Sequence, residues 1–144
     1  MQFQSTRDSA LRVSSSEAIV RGLAPKSGLF VPESFPQADL EGWKSLSYPA
    51  LAEQVLKGFL TDYSADFLHG ATAATYGEAF GGKAGETVKV SDGVYALELW
   101  HGPTCAFKDM ALQMLPYLLT ASLKKTDEDK TVCILVATSG DTGK

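Results

Sequence analysis

The feature that most constrains the fold is the run TVCILVA at residues 131–137, which is almost entirely apolar and rich in β-branched side chains. A strand with one exposed face alternates apolar and polar residues, whereas a strand covered on both faces does not. The run therefore predicts a strand in a parallel sheet that is covered by helices on both sides. A Gly-rich loop, TSGDTGK at residues 138–144, follows it.

A buried parallel strand followed by such a loop calls for a crossover helix and a neighbouring parallel strand. Neither follows residue 144 in the sequence, so we expect this chain to be the truncated start of a larger protein. Apolar surface left exposed by truncation would promote self-association. The alternative is a small complete domain with this strand at its edge, where it would be an aggregation hazard.

Composition indicates an ordinary globular protein, because 44% of the 144 residues are hydrophobic and 21% are charged. The net charge of −4 offers no basic field for nucleic acid or for an anionic membrane. The sequence also lacks a signal-peptide core and an apolar segment long enough to span a bilayer. We therefore expect a cytoplasmic protein that binds neither nucleic acid nor membranes.

The first 86 residues predict a mostly helical lobe. Ser14 and Glu17 have the spacing of a capping box at the start of a helix that Gly22 can end. A brief strand is predicted at residues 29–31, between a turn and a proline. Two further helices are predicted to begin at serine residues, Ser47 and Ser64.

The character of the sequence changes near residue 86, where we place the boundary between domains 1–86 and 87–144. Two strands, residues 87–90 and 94–99, are predicted on either side of the dipeptide Asp92-Gly93, which is preferred in type I′ hairpin turns. Together these elements indicate the α/β class.

Lys108 lies near the start of a predicted buried helix over Phe107–Leu123, which we expect to bend at Pro116. Apolar neighbours and the positive end of the helix dipole favour the neutral amine at this position. A neutral amine forms Schiff bases with carbonyl compounds. Asp109 would oppose that effect if its carboxylate lay on the same side. The alternative is a solvated lysine without a function.

Two other catalytic arrangements are disfavoured. His101 and Cys105 could suggest thiol catalysis or a metal site, but the intervening Pro103 favours a turn histidine beside a packed thiol. Thr104 lies four residues before Lys108, whereas the usual Ser-Lys spacing is three.

The two cysteines of the chain match neither a disulfide framework nor a zinc site in their spacing. They are Cys105 and Cys133, and both have apolar neighbours in the sequence. We therefore predict buried, reduced thiols and no metal site.

The loop TSGDTGK has the composition of an anion-binding turn. It is not a P-loop, because position 138 holds threonine where that motif requires glycine. Its hydroxyl groups and unencumbered backbone N–H groups, at an expected helix N-terminus, suit a carboxylate or a phosphate. The alternative is a capped strand-to-helix turn that binds no ligand.

Five strings of the sequence resemble those of threonine synthases and occur in the same order. They are STR at 5–7, GLAPKSGLFVP at 22–32, SYPALA at 47–52, HGPTCAFKDMALQ at 101–113 and ATSGDTG at 137–143. The family consists of pyridoxal-phosphate enzymes related to tryptophan synthase β. The resemblance implies the N-terminal third of an α/β protein, in which a mostly helical lobe with a short hairpin leads into the first elements of a truncated parallel-sheet cofactor domain.

The resemblance also implies the roles of individual residues. Lys108 would hold pyridoxal 5′-phosphate as a Schiff base and carry protons in the conversion of O-phospho-L-homoserine and water to L-threonine and phosphate. The substrate carboxylate would be bound by three residues of the loop, Ser139, Gly140 and Thr142. Asp141 would lie near the phenolic oxygen of the cofactor. The cradle for the cofactor phosphate lies downstream in relatives, so we expect this chain alone to be inactive.

Two other functions remain open at this point. A related lyase of the same fold could act on another phosphorylated amino acid, such as O-phosphothreonine. A chain of this length could also be a non-catalytic binding or interaction module.

Overall fold

The computed structural model describes residues 1–143, which form six α-helices and two antiparallel sheets. The strands are β1 (Phe3–Ser5), β2 (Arg12–Val13), β3 (Phe30–Pro32), β4 (Glu86–Ser91) and β5 (Val94–Glu98). The helices are α1 (Ser15–Arg21), α2 (Leu40–Trp43), α3 (Tyr48–Phe59), α4 (Ala65–Tyr76), α5 (Asp109–Leu112) and α6 (Leu115–Lys125). Short 3₁₀ turns occur at Pro25–Ser27 and Glu78–Phe80. Lys144, with which the second predicted domain ends, lies outside the described residues.

The first sheet has the strand order β2-β1-β3, with both neighbours antiparallel to β1. In its register, Phe3 lies opposite Val13 on one side and Pro32 on the other. Strand β3 confirms the strand predicted near residues 29–31. The sequence does not predict β1 and β2, because strands of three and two residues are too short to show an alternating pattern.

Helix α1 confirms the predicted capping box. The Ser14 hydroxyl accepts a hydrogen bond from the Glu17 N–H at 3.2 Å, and the Glu17 carboxylate accepts one from the Ser14 N–H at 2.9 Å. The helix ends at Gly22, whose φ is +67°. These local bonds satisfy backbone groups that the first turn of a helix leaves without partners.

Helices α3 and α4 pack against each other, and α4 buries three apolar side chains, Leu68, Ala71 and Tyr76. Ser64 caps α4 by accepting a hydrogen bond from the Phe67 N–H at 3.2 Å, as predicted. One core cluster consists of Leu60, Tyr63 and Leu68, with α6 packed against it. A second cluster, formed by Tyr76, Phe80 and Ala84, contacts Met110 of α5. The core therefore supports both helices that follow Lys108 in the sequence.

Strands β4 and β5 form the predicted hairpin around Asp92-Gly93. Only Gly93 has a positive φ, +74°, whereas a type I′ turn requires a positive φ at both central residues. The predicted turn type is therefore wrong. A shift of register between Lys89 and Ser91 accommodates the turn that does form.

The single helix predicted over Phe107–Leu123 is wrong, because the structure divides it into α5 and α6. Pro116 has no N–H to donate to the carbonyl of Leu112, and its ring collides with that carbonyl in a continuous helix. Accordingly α5 ends at Leu112, and Pro116 occupies the first turn of α6. Within residues 1–143, no helix is both long enough and apolar enough to cross a membrane.

The strand predicted at residues 131–137 is absent from the described structure, which has no regular secondary structure there. Both sheets within residues 1–143 are antiparallel, and neither supplies a ladder for this segment. Without a paired neighbour an extended segment has no inter-strand hydrogen bonds, and Leu135 is accordingly 90% exposed. Cys105 and Cys133 are also exposed, so the prediction of buried thiols is wrong.

Candidate active site

A compact turn leads from β5 into α5 and carries Lys108. The Cys105 N–H donates to the Gly102 carbonyl at 3.0 Å, and the Asp109 N–H donates to the Ala106 carbonyl at 3.0 Å. Cys105 lies in the left-handed region with φ of +54°, which reverses the chain between these two bonds. The backbone itself therefore places Lys108 at the N-terminal end of α5.

The buried carboxylate of Asp109 stabilises this turn through hydrogen bonds. It is 1% exposed, and its carboxylate accepts hydrogen bonds from the Thr104 N–H at 2.8 Å and from the Thr104 hydroxyl at 2.9 Å. The Gln113 amide donates to the same carboxylate at 3.4 Å. Burial alone would raise the pKa of Asp109, but these hydrogen bonds outweigh it and lower the pKa below its ordinary value. Asp109 is therefore ionised and occupied by donors of the turn.

Two residues of α4 form hydrogen bonds with α5 and with Met114, which follows it. The Tyr76 hydroxyl donates to the Met110 carbonyl at 2.8 Å, and the Thr75 hydroxyl lies 3.4 Å from the Met114 sulfur. Burial, with a smaller contribution from Tyr48, raises the pKa of Tyr76 to about 12, so this phenol remains a hydrogen-bond donor. The sequence gives no local sign of these contacts, because they join residues more than thirty positions apart.

Lys108 is half-buried, and its ammonium donates a hydrogen bond to the Thr142 hydroxyl. The amine nitrogen lies 5.9 Å from the centre of the Phe107 ring. That ring is 59% exposed, so one of the apolar neighbours expected to desolvate the amine instead points largely into solvent. Ala106 is the neighbour that is buried.

The loop that contains Thr142 is a tight polar turn. The Thr138 hydroxyl accepts from the Gly140 N–H at 3.4 Å and from the Thr142 N–H at 3.5 Å, and the Gly143 N–H donates to the Gly140 carbonyl at 3.2 Å. Gly140 has φ of +137°, a conformation that side chains disfavour. The structure thus brings together two predicted site residues, Lys108 and Thr142. The other three, Ser139, Gly140 and Asp141, are exposed in the same turn.

A second polar cluster lies at the open end of the hairpin, where Glu86 and Glu98 are opposite each other in the register of β4 and β5. The His101 ring nitrogen lies 2.6 Å from Glu98 and 3.4 Å from Glu86, and Lys83 lies 3.3 Å from Glu86. One ligand atom from each of Glu86, Glu98 and His101 lies within 4.8 Å of the others, a set that could hold a metal ion. Lys83 forms an ion pair with Glu86, and the imidazole of His101 contacts both carboxylates.

This cluster is not predicted from the sequence. From the sequence we expect His101 in a turn beside a packed thiol, whereas the Cys105 thiol is exposed and the imidazole contacts carboxylates. The signal that could reveal it is the hairpin register, which sets Glu86 against Glu98, with His101 three residues further along the chain.

Comparison with known proteins shows which family the chain belongs to. The family model described as "Threonine synthase N terminus" matches residues 2–76. Threonine synthase from Methylobacillus glycogenes is 41% identical over 155 residues, which cover 99% of this chain and 32% of the relative. The crystal structure of threonine synthase from Escherichia coli matches 99% of this chain and 32% of its own, with a TM-score of 0.84 and 31% identity.

A second solved structure, titled as PLP-bound threonine synthase from Brucella melitensis, has a TM-score of 0.81 and 32% identity over 89% of this chain and 28% of its own. The chain thus spans about a third or less of the relatives it matches. The matched family model covers more than half of the chain. The chain therefore belongs to the threonine synthase N-terminus family.

Proposed function

We propose that this chain is the N-terminal part of an enzyme that converts O-phospho-L-homoserine and water to L-threonine and inorganic phosphate with pyridoxal 5′-phosphate as its cofactor. The observation that carries the proposal is the approach of Lys108 to Thr142, which joins two family motifs that are 34 residues apart in sequence. The membership of the chain in the threonine synthase family supports it.

The residues around Lys108 suit the cofactor chemically. A primary amine at the start of a helix is held by a hydroxyl group and an aromatic ring, and the neighbouring Asp109 is occupied by other donors. Such an amine can attack the aldehyde of pyridoxal phosphate. When bound, the cofactor supplies an acceptor for the electrons that a substrate carbon leaves behind when it loses a proton.

We assign Lys108 two roles, as the amine that holds the cofactor and, when free, as the base that removes and returns substrate protons. Ser139, Gly140 and Thr142 would bind the substrate carboxylate through hydroxyl and backbone N–H donors. The Thr142 hydroxyl, which accepts from Lys108, would then also donate to the substrate. Asp141 would lie next to the phenolic oxygen of the cofactor.

The domain organisation is part of the proposal. Residues 1–86 would form the N-terminal lobe, and residues 87–144 the start of a cofactor domain built on a parallel sheet. The exposed apolar run at 131–137 supports it, because the helices that pack on both faces of a parallel sheet would cover that run. We also propose that the whole protein acts in the cytoplasm, and that the isolated 144-residue chain self-associates through this surface.

The test uses the full-length protein that carries this sequence. Pyridoxal phosphate should give visible absorption typical of a Schiff base, and Lys108→Ala should abolish it, whereas Lys83→Ala and Lys89→Ala should not. Borohydride reduction and peptide mapping should place the phosphopyridoxyl group on Lys108. Its appearance on Lys83 or Lys89 would contradict the assignment.

The substrate is tested by phosphate release. Full-length protein should release phosphate and form threonine from O-phospho-L-homoserine, and should leave O-phospho-L-threonine unchanged. Release from O-phospho-L-threonine alone would identify a related lyase instead. The isolated 144-residue chain should show neither tight cofactor binding nor turnover, because it spans only about a third of its relatives, and tight binding with turnover would contradict that expectation.

A further inference from the structure

The turn that carries Lys108 is built around a carboxylate that the proposed chemistry does not use. Asp109 is adjacent to Lys108 in sequence and is 1% exposed, yet its carboxylate accepts hydrogen bonds from Thr104 and Gln113. A buried carboxylate costs free energy unless it is paired or hydrogen-bonded. Here three donors meet that requirement, and two of them come from a residue on the far side of the turn.

The close approach of Gly102 shows how tightly this arrangement is packed. A Cβ atom at Gly102 would lie 2.5 Å from the Asp109 Cβ and 2.5 Å from its carboxylate oxygen. No real Cβ contact is that short, so a side chain at position 102 would displace Asp109 or the backbone. The glycine of the HGPT string therefore makes room for the carboxylate.

We infer that Asp109 is a positioning residue: it anchors the Gly102–Thr104 segment to the first turn of α5 and thereby fixes where the Lys108 amine points. Its negative charge is stabilised by hydrogen bonds from Thr104 and Gln113 rather than by an ion pair with Lys108. The inference rests on the proposed role of Lys108, and it makes separate predictions for hydrogen bonding and for charge.

Two substitutions at one position separate these roles. Asp109→Asn removes the charge, but its amide oxygen still accepts from the Thr104 N–H and its amide N–H₂ can donate to the Thr104 hydroxyl. Asp109→Ala removes every hydrogen bond of the side chain and leaves the backbone bonds of this residue in place. A positioning residue predicts a large effect of alanine and a small effect of asparagine, whereas a counter-ion predicts that both variants are equally affected.

The first measurement is trace labelling of lysines with acetic anhydride in the 144-residue chain, followed by mass spectrometry. Lys83 and Lys89, which lie outside the turn, are internal references. In Asp109→Ala the labelling of Lys108 relative to these references should rise about tenfold, which corresponds to about 1.4 kcal/mol of lost hydrogen bonding. In Asp109→Asn it should stay within about twofold of wild type. Equal labelling in the alanine variant and wild type, or equal increases in both variants, would overturn the inference.

Thr104 provides a milder perturbation if Asp109→Ala does not fold. Thr104→Val keeps the volume but removes the hydroxyl donor, so Lys108 labelling should rise, while Thr104→Ser should restore the wild-type value. If a folded Thr104→Val variant showed the same Lys108 labelling as wild type, this result would also contradict the positioning role of Asp109.

The second measurement uses full-length protein and follows incorporation of pyridoxal phosphate on Lys108 by borohydride trapping. A displacement of about 1 Å at a reacting group costs about 10²-fold in rate, so trapping should slow by that factor in Asp109→Ala and hardly at all in Asp109→Asn. Failure of wild type to incorporate the cofactor would refute the proposed function. The labelling ratios in the 144-residue chain would still decide the positioning role.

Discussion

Helix α4 and the extended segments of the C-terminal region, which are β4, β5 and residues 131–137, all contain apolar residues, but they bury them very differently. Leu68 in α4 is 1% exposed, whereas Val90 in β4 is 65% exposed and Leu135 beyond α6 is 90% exposed. The buried and the exposed residues both lie in segments whose sequence predicts a helix or a strand. Their exposure differs because a helix and a strand need different partners to satisfy their backbone hydrogen bonds.

A helix satisfies its own backbone, while a strand depends on a neighbour. Helix α4 closes its hydrogen bonds internally and is capped by Ser64, so it needs only an apolar surface, which α3 supplies. The hairpin of β4 and β5 satisfies one side of each strand, and residues 131–137 have no ladder in the described structure. The contrast teaches that an extended segment stays exposed unless other elements pair with it and cover its faces, whereas a capped helix needs only an apolar surface.

The largest difference should appear on truncating one leucine in each region. Leu68→Ala should lower the free energy of unfolding of the 144-residue chain by about 2 to 5 kcal/mol, because it leaves a cavity in a packed cluster. At concentrations that keep the chain monomeric, the matched change Leu135→Ala should alter it by less than about 0.5 kcal/mol, because that side chain is exposed there. Urea denaturation followed by circular dichroism measures both. Similar losses for the two variants would remove the contrast between the regions.

The same Leu135→Ala change should become costly in the full-length protein. If residues 131–137 form a covered parallel strand there, the loss should be about 2 to 3 kcal/mol. The control is Leu23→Ala, because Leu23 is an exposed leucine in the N-terminal region and should stay nearly neutral in both proteins. A Leu135→Ala effect that remains below about 0.5 kcal/mol in the longer protein would contradict the proposed sheet.

A pair of glycines compares steric crowding in the two regions. Gly102→Ala should destabilise the chain by about 1 to 3 kcal/mol, because the added Cβ would lie 2.5 Å from atoms of Asp109. Gly70→Ala in α4 should stabilise it by about 0.5 to 1 kcal/mol, because no atom lies within 4 Å of the added Cβ and alanine favours the helix. Thermal melting distinguishes the expected loss of stability in Gly102→Ala from the expected gain in Gly70→Ala. A Gly102→Ala variant as stable as wild type would contradict the steric crowding at Gly102.

The smallest expected effect concerns acid stability. Burial alone would raise the pKa of Asp62, but hydrogen bonds from Ser15 and Ser16 outweigh it and lower the pKa below the ordinary value of 3.8. The stability from this group is therefore complete above about pH 4 and is lost as the pH falls further. Asp62→Asn should cost about 1 to 2 kcal/mol at neutral pH.

The test for Asp62 is a series of urea titrations between neutral pH and about pH 3. The difference between wild type and Asp62→Asn should shrink as the pH drops below about 4. The exposed Asp129 in the C-terminal region is the matched control, and Asp129→Asn should change stability by less than about 0.5 kcal/mol. A difference that is independent of pH would show that the carboxylate charge of Asp62 is unimportant.

Features that depend on neighbouring residues could be predicted from the sequence. The capping box of Ser14 and Glu17, the cap at Ser64 and the hairpin at Asp92-Gly93 are all confirmed. Each depends on a few consecutive side chains and on backbone groups within one turn. The break between α5 and α6 follows from Pro116 by the same local physics, although the sequence analysis expected only a bend.

Features that join distant residues could not be predicted in this way. The Tyr76 hydroxyl reaches the Met110 carbonyl, and Lys108 reaches Thr142, only because several elements pack together first. Asp109 illustrates the limit within the site itself, since its position next to Lys108 suggests a charge effect, whereas its actual partners are Thr104 and Gln113. The roles assigned to Ser139, Gly140, Asp141 and Thr142 stay predictions.

The interruption at Pro116 has a mechanical consequence. Because the helical hydrogen bond from position 116 to the Leu112 carbonyl cannot form, α5 and α6 do not behave as one rigid rod. Helix α6 packs against the core cluster that contains Leu60 and Leu68, while α5 accepts a separate hydrogen bond from the Tyr76 hydroxyl. We therefore expect that a tilt of α6 would change the orientation of α5, the short helix that begins beside Lys108, less than it would in an unbroken helix.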